Sequence, residues 1–132
     1  MFVDTSALVA ILAREPDAAA LVAEIERSPP VITAGHVLLE AAMRLATLLG
    51  VDPIEAESAI GELLAEARID VVPITREIAH EAVVAFSRYG KGRRNRAQLN
   101  FGDCLSYACA RHHDVPLLFK GDDFAATDIA PV

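Results

Sequence analysis

Apolar residues along this chain recur in two alternating patterns, as short continuous runs and as longer segments with helical spacing. The short runs predict strands at residues 1–3, 31–33, 69–74 and 116–119, and a last strand near residues 129–132. The segments between them predict helices, the first after a cap at Thr5 or Ser6, and the others at about residues 16–27, 36–49, 53–68, 76–89 and 101–113. This alternation is typical of an α/β protein whose parallel sheet is covered by helices on both faces.

The length and composition of the chain predict one compact domain over residues 1–132. Of these 132 residues, 53% are hydrophobic and 23% are charged, and the formal net charge is −7. This mixture excludes a disordered or a collagen-like chain. The longest stretch without charge, residues 28–39, is too short for a membrane span and contains two prolines. The apolar residues 7–13 follow an acid and no basic residue, which argues against a signal peptide and predicts a cytoplasmic location.

The two cysteines, Cys104 and Cys109, are predicted to be free thiols. They lie five residues apart on a predicted helix, so their side chains point about 140° apart and cannot form a disulfide. No Cys or His spacing of the kind that binds zinc is present. The cysteines therefore indicate small buried residues in a reducing compartment.

Several carboxylates stand where α/β proteins place their sites. Asp4 follows the first strand, and Asp122 and Asp123 follow the strand at residues 116–119. Asp103 lies in the first turn of a helix that Asn100 can cap. Open parallel sheets bind ligands at the carboxyl ends of their strands. Each acid also has an ordinary alternative, because helix starts and turns favour acidic residues without any function.

Glu40 is one of three polar residues on an otherwise apolar helix, together with Arg44 and Thr47. Their spacing places all three on one stripe of the helix. Either the stripe faces solvent, with an ion pair between Glu40 and Arg44, or the helix is largely buried and Glu40 points into a cleft. Taken together, the dispersed acids without a histidine cluster indicate an oxygen-only site for a hard cation such as Mg²⁺ or Mn²⁺. Such an ion can activate water for displacement at phosphorus.

Four segments of the chain resemble a known family. These are MFVDTSAL, LLEAAM, YGKGRRNRAQLNFGDCLSYACA and LLFKGDDFAATDI, and together they resemble the PIN-domain ribonucleases, specifically the VapC toxins of toxin–antitoxin pairs. The resemblance covers the whole chain and implies a three-layer α/β/α sandwich with a short, mainly parallel central sheet. It also implies an endoribonuclease that depends on Mg²⁺, with Mn²⁺ as a substitute.

The resemblance further implies roles for individual acids. Asp4 and Asp103 would bind the metal directly, and Glu40 and an acid of the KGDDF turn would act through water. Many members have a Thr-x-Asp or Thr-x-Asn pattern in that turn, and this chain lacks the threonine, so Asp122 and Asp123 both stay open, with Asp122 favoured. Thr5 and Ser6 would contact the metal or a phosphate, or would only cap the first helix.

A run of basic residues precedes Asp103. Between residues 88 and 98 the chain carries five basic residues and no acid, although its net charge is negative. We expect four of them to bind RNA phosphates, unless the run is only a solvated loop: Lys91, Arg93, Arg94 and Arg96. Tyr89 and Phe101 flank the run and would either stack on bases or belong to the core.

The expected partners are RNA, a small VapB-like antitoxin and a second copy of the chain. The unusually apolar helix at residues 37–49 predicts surface that a homodimer or an antitoxin tail would cover. The resemblance implies an antitoxin that inserts an arginine among the acids. The alternative to an enzyme is a catalytically silent PIN-fold module that binds RNA or a protein.

Overall fold

Four short parallel strands form the centre of the fold. The computed structural model describes residues 1–132. Its elements, in chain order, are β1 (Phe2–Val3), α1 (Thr5–Leu12), α2 (Ala18–Arg27), β2 (Val31–Ala34), α3 (Gly35–Leu49), α4 (Pro53–Ala67), β3 (Ile69–Val72), α5 (Arg76–Tyr89), α6 (Phe101–His112) and β4 (Leu117–Leu118). The strands are ordered β3-β2-β1-β4, and every pair is parallel. The predicted α/β fold with a parallel sheet is therefore confirmed.

The first strand lies in the middle of the sheet, and its register determines where the following residues lie. Phe2 is opposite Ile32 on one side and Leu117 on the other, and both residues of β1 are completely buried. Buried parallel strands are continuously apolar because helices cover both of their faces. The carboxyl end of β1 consequently delivers Asp4 to the same edge of the sheet as the residues that follow β4.

The structure corrects three of the predicted boundaries. The last predicted strand is reduced to a single bridge between Leu117 and Pro131, because proline has no N–H to extend a ladder. Strand β3 ends before Pro73 for the same reason. Helix α2 begins at Ala18 and not near Pro16, since residues 15–18 form a turn in which the Ala18 N–H donates to the Glu15 carbonyl.

Helix α3 is buried on one side only. The sequence analysis had allowed the alternative that this helix is largely buried. Its residues Val37, Ala41 and Leu45 face the core between α1, α4 and α6. The helix also exposes four large apolar side chains, Leu39, Met43, Leu48 and Leu49. The apolar surface expected on this helix is therefore present.

Two other predictions concern the whole chain. Both cysteines are buried and free, as expected from their spacing. None of the six helices combines the length and the apolar character needed to cross a bilayer.

Two leucines of α3 provide a test of this arrangement. Leu45 is 1% exposed and Leu48 is 58% exposed. We expect Leu45→Ala to lower the free energy of unfolding by about 2–5 kcal/mol, because it leaves a cavity in the core. The matched variant Leu48→Ala should change it by no more than about 0.5 kcal/mol. Urea denaturation measures both values, and equal losses would contradict the orientation of α3.

Candidate active site

Asp4 connects the central strand to the first helix. It is the N-cap of α1, and its Oδ2 atom accepts hydrogen bonds from the Ser6 N–H at 3.1 Å and the Ser6 hydroxyl at 2.7 Å. The Oδ1 atom accepts no hydrogen bond from the protein, although the residue is only 4% exposed. The capping role and a role in a site are thus compatible, because each uses a different oxygen.

Glu40 points toward α1 and away from its neighbours on the polar stripe. The buried Thr5 hydroxyl donates a hydrogen bond of 2.5 Å to Glu40 Oε1. Glu40 forms no ion pair with Arg44, and both Arg44 and Thr47 are exposed to solvent. Glu40 is therefore half-buried against the helix that begins at Asp4, and the ion pair considered from the sequence is absent.

Asp103 is held by a reciprocal pair of hydrogen bonds at the start of α6. Its Oδ2 atom accepts the Asn100 N–H at 3.0 Å, and Asn100 Oδ1 accepts the Asp103 N–H at 2.9 Å. This capping box closes two of the free backbone donors at the helix start. Asn100 is the cap, as the sequence suggested, but Asp103 contributes to the cap as well.

The environment of Asp103 connects the dispersed acids. Burial raises its pKa to about 6, the hydrogen bond from the Asn100 backbone opposes this rise, and the negative charges of Asp4, Asp123 and Glu40 add to it. Asp122 is not among these charges. None of the acids forms an ion pair with a lysine or arginine. The carboxylates of Asp4, Glu40 and Asp123 are therefore close enough to Asp103 for their charges to disfavour its ionised form.

The chemistry of these residues suits a hard divalent cation. Carboxylate oxygens are the ligands of Mg²⁺, which usually keeps several waters and uses only one or two carboxylates. No three His, Cys, Asp or Glu side chains stand close enough to enclose an ion by themselves. A site with one or two direct carboxylates and intervening water fits this spacing, and the uncompensated negative charge favours a cation.

Gly102 leaves space beside Glu40. A Cβ atom built on Gly102 would lie 2.7 Å from Glu40 Oε2, so any other residue would push the carboxylate away. Gly102 is the second residue of α6 and is next to Asp103. The absence of a side chain therefore allows the acids of α3 and α6 to approach each other. The sequence offered no signal for this role.

Lys120 links the turn after β4 to the start of α1, and sequence analysis missed it. Its backbone N–H donates to the Ser6 hydroxyl at 2.9 Å, and that hydroxyl donates to Asp4. Its ammonium group pairs with Asp17 at 3.1 Å and with Glu15. This contact joins residues 114 apart in sequence, which a local pattern cannot reveal.

His36 contacts one residue of α6 and one residue of β1. It belongs to α3, its Nε2 atom lies 2.9 Å from the Ser106 hydroxyl of α6, and its ring stacks on Phe2 of β1. Burial lowers its pKa, and the charge of Asp4 opposes this effect. His36 is thus a structural histidine, as the lack of ligand spacing suggested, and it lies one helical turn from Glu40.

The basic run forms an exposed loop over residues 90–99. A bridge between Gly90 and Leu99 closes the loop. The side chains of Lys91, Arg93, Arg94 and Arg96 are exposed and form no ion pair. Tyr89 is buried in the core, whereas Phe101 is 82% exposed. The two aromatic residues that flank the run therefore have different environments.

Comparison with known proteins agrees with this geometry. The PIN domain family model matches residues 1–130. The ribonuclease VapC30 of Mycobacterium tuberculosis is 44% identical, and the alignment covers 100% of this chain and 98% of that protein. The chain belongs to the PIN-domain family, as a member of the VapC-type ribonuclease toxins of toxin–antitoxin systems. The family resemblance predicted from the sequence is confirmed.

Two solved structures support the fold. The crystal structure of M. tuberculosis VapC20, described as a sarcin–ricin loop cleaving toxin, matches with a TM-score of 0.76 at 23% identity, over 99% of this chain and 97% of that chain. A toxin–antitoxin complex from Klebsiella pneumoniae matches with a TM-score of 0.70 at 19% identity, over 96% of this chain and 92% of that chain. Both agree with the α/β/α sandwich.

The space beside Gly102 leads to a prediction about activity. We expect Gly102→Ala to reduce RNA cleavage by on the order of tenfold to a hundredfold, because the added Cβ displaces the Glu40 carboxylate. The same change should preserve or raise stability, since alanine favours a helix by about 1 kcal/mol over glycine. The control Gly61→Ala lies in α4 with nothing within 4 Å of its Cβ. The control Gly61→Ala should be more stable than the wild type and equally active. Full activity in Gly102→Ala would contradict the role of Gly102.

The raised pKa of Asp103 predicts a dependence of stability on pH. The folded pKa of about 6 lies above the ordinary value of 3.8, so ionised Asp103 opposes folding above pH 6 and this penalty disappears as pH falls toward 3.8. We expect Asp103→Asn to raise the free energy of unfolding of the metal-free protein at pH 7.5 by on the order of 1 kcal/mol, after solvent screening. Asparagine keeps an oxygen to accept the Asn100 N–H. Thermal unfolding at pH 7.5 and pH 4 measures the effect, and a difference that is independent of pH would disprove it.

Proposed function

We propose that this chain hydrolyses RNA phosphodiester bonds at a carboxylate site that requires Mg²⁺, with Mn²⁺ as a substitute. The observation that carries the proposal is Asp103, whose buried carboxylate is surrounded by the charges of Asp4, Glu40 and Asp123 without a basic partner. Such an arrangement costs stability in the absence of a cation. Membership of the VapC-type ribonucleases supports the same conclusion.

Each acid has a distinct role in this proposal. Asp4 and Asp103 are the direct ligands, because they are the two buried aspartates at this edge of the sheet. Glu40, which the Thr5 hydroxyl orients, acts through water. Ser6 holds Asp4 through Oδ2 and leaves Oδ1 to the ion. Thr5 and Ser6 are therefore proposed as positioning residues and not as contacts to phosphate.

The fourth acid is proposed to be Asp123. Its charge contributes to the raised pKa of Asp103, whereas that of Asp122 does not. The sequence favoured Asp122 from the turn pattern alone. Both residues are exposed and lie in the turn that a hydrogen bond from Lys120 joins to Ser6.

When bound, the divalent ion supplies Lewis acidity and a water nucleophile at neutral pH. The chain supplies the geometry. The capping box holds Asp103, the serine hydroxyl holds Asp4, and the threonine hydroxyl holds Glu40. These hydrogen bonds fix the carboxylates before the substrate arrives, which is the preorganisation that electrostatic catalysis requires.

The exposed loop at residues 90–99 is proposed to bind RNA phosphates through Lys91, Arg93, Arg94 and Arg96. These side chains form no ion pair, and the loop that carries them leads directly into α6, whose first turn carries Asp103. The loop is therefore a positively charged surface that can bind phosphates, although the net charge of the whole chain is −7.

The name VapC and the Klebsiella toxin–antitoxin complex support an antitoxin as a partner. We propose that the exposed apolar residues of α3, among them Leu39 and Met43, are part of the surface that the antitoxin covers. The homodimer and the cytoplasmic location remain predictions from the sequence.

Substitution of the acids tests the proposed reaction. We expect Asp4→Asn and Asp103→Asn each to abolish cleavage of single-stranded RNA in Mg²⁺, since both changes remove ligand charge at nearly constant volume. Asp123→Asn should reduce cleavage strongly, and Asp122→Asn should leave it within about threefold of the wild type, because only the charge of Asp123 acts on Asp103. The assay is a titration of Mg²⁺ against the rate of cleavage.

The outcome of this titration separates the alternatives. Near wild-type cleavage by folded Asp4→Asn or Asp103→Asn would sink the carboxylate assignment. Absence of cleavage in the wild-type protein at every metal concentration, with RNA still bound, would favour the catalytically silent module. A strong loss of cleavage in Asp122→Asn, without such a loss in Asp123→Asn, would identify Asp122 as the fourth acid of the site.

A further inference from the structure

We propose that the groove between α5 and α6 binds an unpaired nucleobase of the RNA, stacked against Phe101, next to the site of cleavage. This inference rests on the proposed ribonuclease function and adds a base-binding subsite to it. The groove measures about 400 Å³ and is lined only by apolar side chains, including Phe86, Phe101, Val83 and Leu105.

The groove presents two aromatic rings without ring-to-ring contact. Phe101 is 82% exposed and Phe86 is 45% exposed, and no stacking pair joins them. An exposed phenylalanine at a helix start contributes nothing to the core. Single-stranded nucleic acids bind by stacking bases on such rings, and this interaction tolerates any base because every base has a π-face.

The basic loop begins and ends at this groove. The ring of Phe86 occupies the place that a Cβ atom of residue 90 would take, so only glycine fits where the loop begins. Phe101 follows the end of the loop after one residue. The loop carries four exposed cations and no acid. Phosphates held by the loop would therefore place their bases at the groove.

The acids lie on the other side of the same helical turn. Phe101, Cys104 and Leu105 line the groove, whereas Gly102, about 100° further around α6, adjoins Glu40. The diameter of a helix with its side chains is about 10 Å, which an extended strand crosses within a short segment. A base in the groove would thus belong to a nucleotide near the one that is cut.

The charge of the loop favours RNA over a second copy of this chain. A two-fold interface on this groove would bring two loops of four cations toward each other, and juxtaposed like charges oppose association. RNA supplies phosphates to the same cations. An apolar side chain of the antitoxin or of another copy is the competing occupant, and the experiment distinguishes both from RNA.

The test compares a single-stranded RNA oligonucleotide with an abasic RNA of the same length. Binding is measured by fluorescence anisotropy in Ca²⁺, chosen to slow cleavage, and a 2-aminopurine in the first RNA reports stacking. Phe101→Ala should weaken binding of the base-containing RNA by about tenfold or more and remove the quenching of 2-aminopurine. Phe101→Trp should restore both. The control Leu49→Ala, an exposed apolar residue of α3, should behave as the wild type.

Two further measurements separate stacking from charge. Phe101→Ala should leave abasic RNA binding and the salt dependence unchanged, whereas combined Arg93→Ala and Arg94→Ala should lower the log–log salt slope by about 1.4 for both RNAs. Thermal unfolding confirms that the variants fold. The proposal is overturned if Phe101→Ala binds both RNAs as the wild type does.

Other outcomes identify another occupant or a failure of the proposed function. If Phe101→Ala changes the oligomeric state in light scattering but still binds RNA as the wild type does, the groove belongs to an interface with a second copy. If Phe101→Ala no longer copurifies with the coexpressed antitoxin but still binds RNA as the wild type does, the groove binds the antitoxin. Either result overturns the proposed base-binding subsite. A wild type that cleaves RNA while Phe101→Ala has no effect refutes only the subsite. A wild type that neither binds nor cleaves RNA refutes both proposals.

Discussion

Repulsion among carboxylates that lack basic partners is the constraint on which this molecule depends. Burial and the negative charges of Asp4, Glu40 and Asp123 raise the pKa of Asp103. Because Asp103 is buried, water screens these charges only weakly. The surrounding protein keeps these groups in place with short hydrogen bonds from hydroxyls and backbone amides. The rest of the fold supplies the rigidity that holds like charges together, and it does so at the carboxyl edge of a four-stranded sheet.

The sheet and the helices around it were predictable because their signals are local. Apolar runs marked the strands, and Gly50, which adopts a left-handed conformation with φ of 65°, marked the end of α3. The prediction of a strand near residues 129–132 was wrong, because the pairing there is limited to one bridge at Pro131. The end of α4 was predicted near residue 68, and Arg68 caps the helix there in the same left-handed region. Local patterns therefore predicted the existence of most elements better than their ends.

The candidate site was predicted as a set of residues, and that set stays a prediction, whereas its contacts came from the structure. Asp4, Glu40 and Asp103 were identified from strand ends, helix starts and the family resemblance, but the stripe on α3 did not reveal that Glu40 turns toward Thr5. The bond from Lys120 to Ser6 joins distant parts of the chain. Such contacts depend on how elements pack and not on the residues within one element, so they needed the tertiary structure.

The acids of the proposed site come from widely separated positions, and this separation bears on the synthesis of the protein. Asp4 and Glu40 leave the ribosome early, whereas Asp103 and Asp123 belong to the last third of the chain. Domains fold largely as units once their sequence is available, and contacts of long sequence separation form late. A growing chain that lacks α6 and the turn after β4 therefore lacks half of its carboxylates. The proposed site can therefore form only after the carboxyl-terminal residues have been synthesised and have joined the sheet.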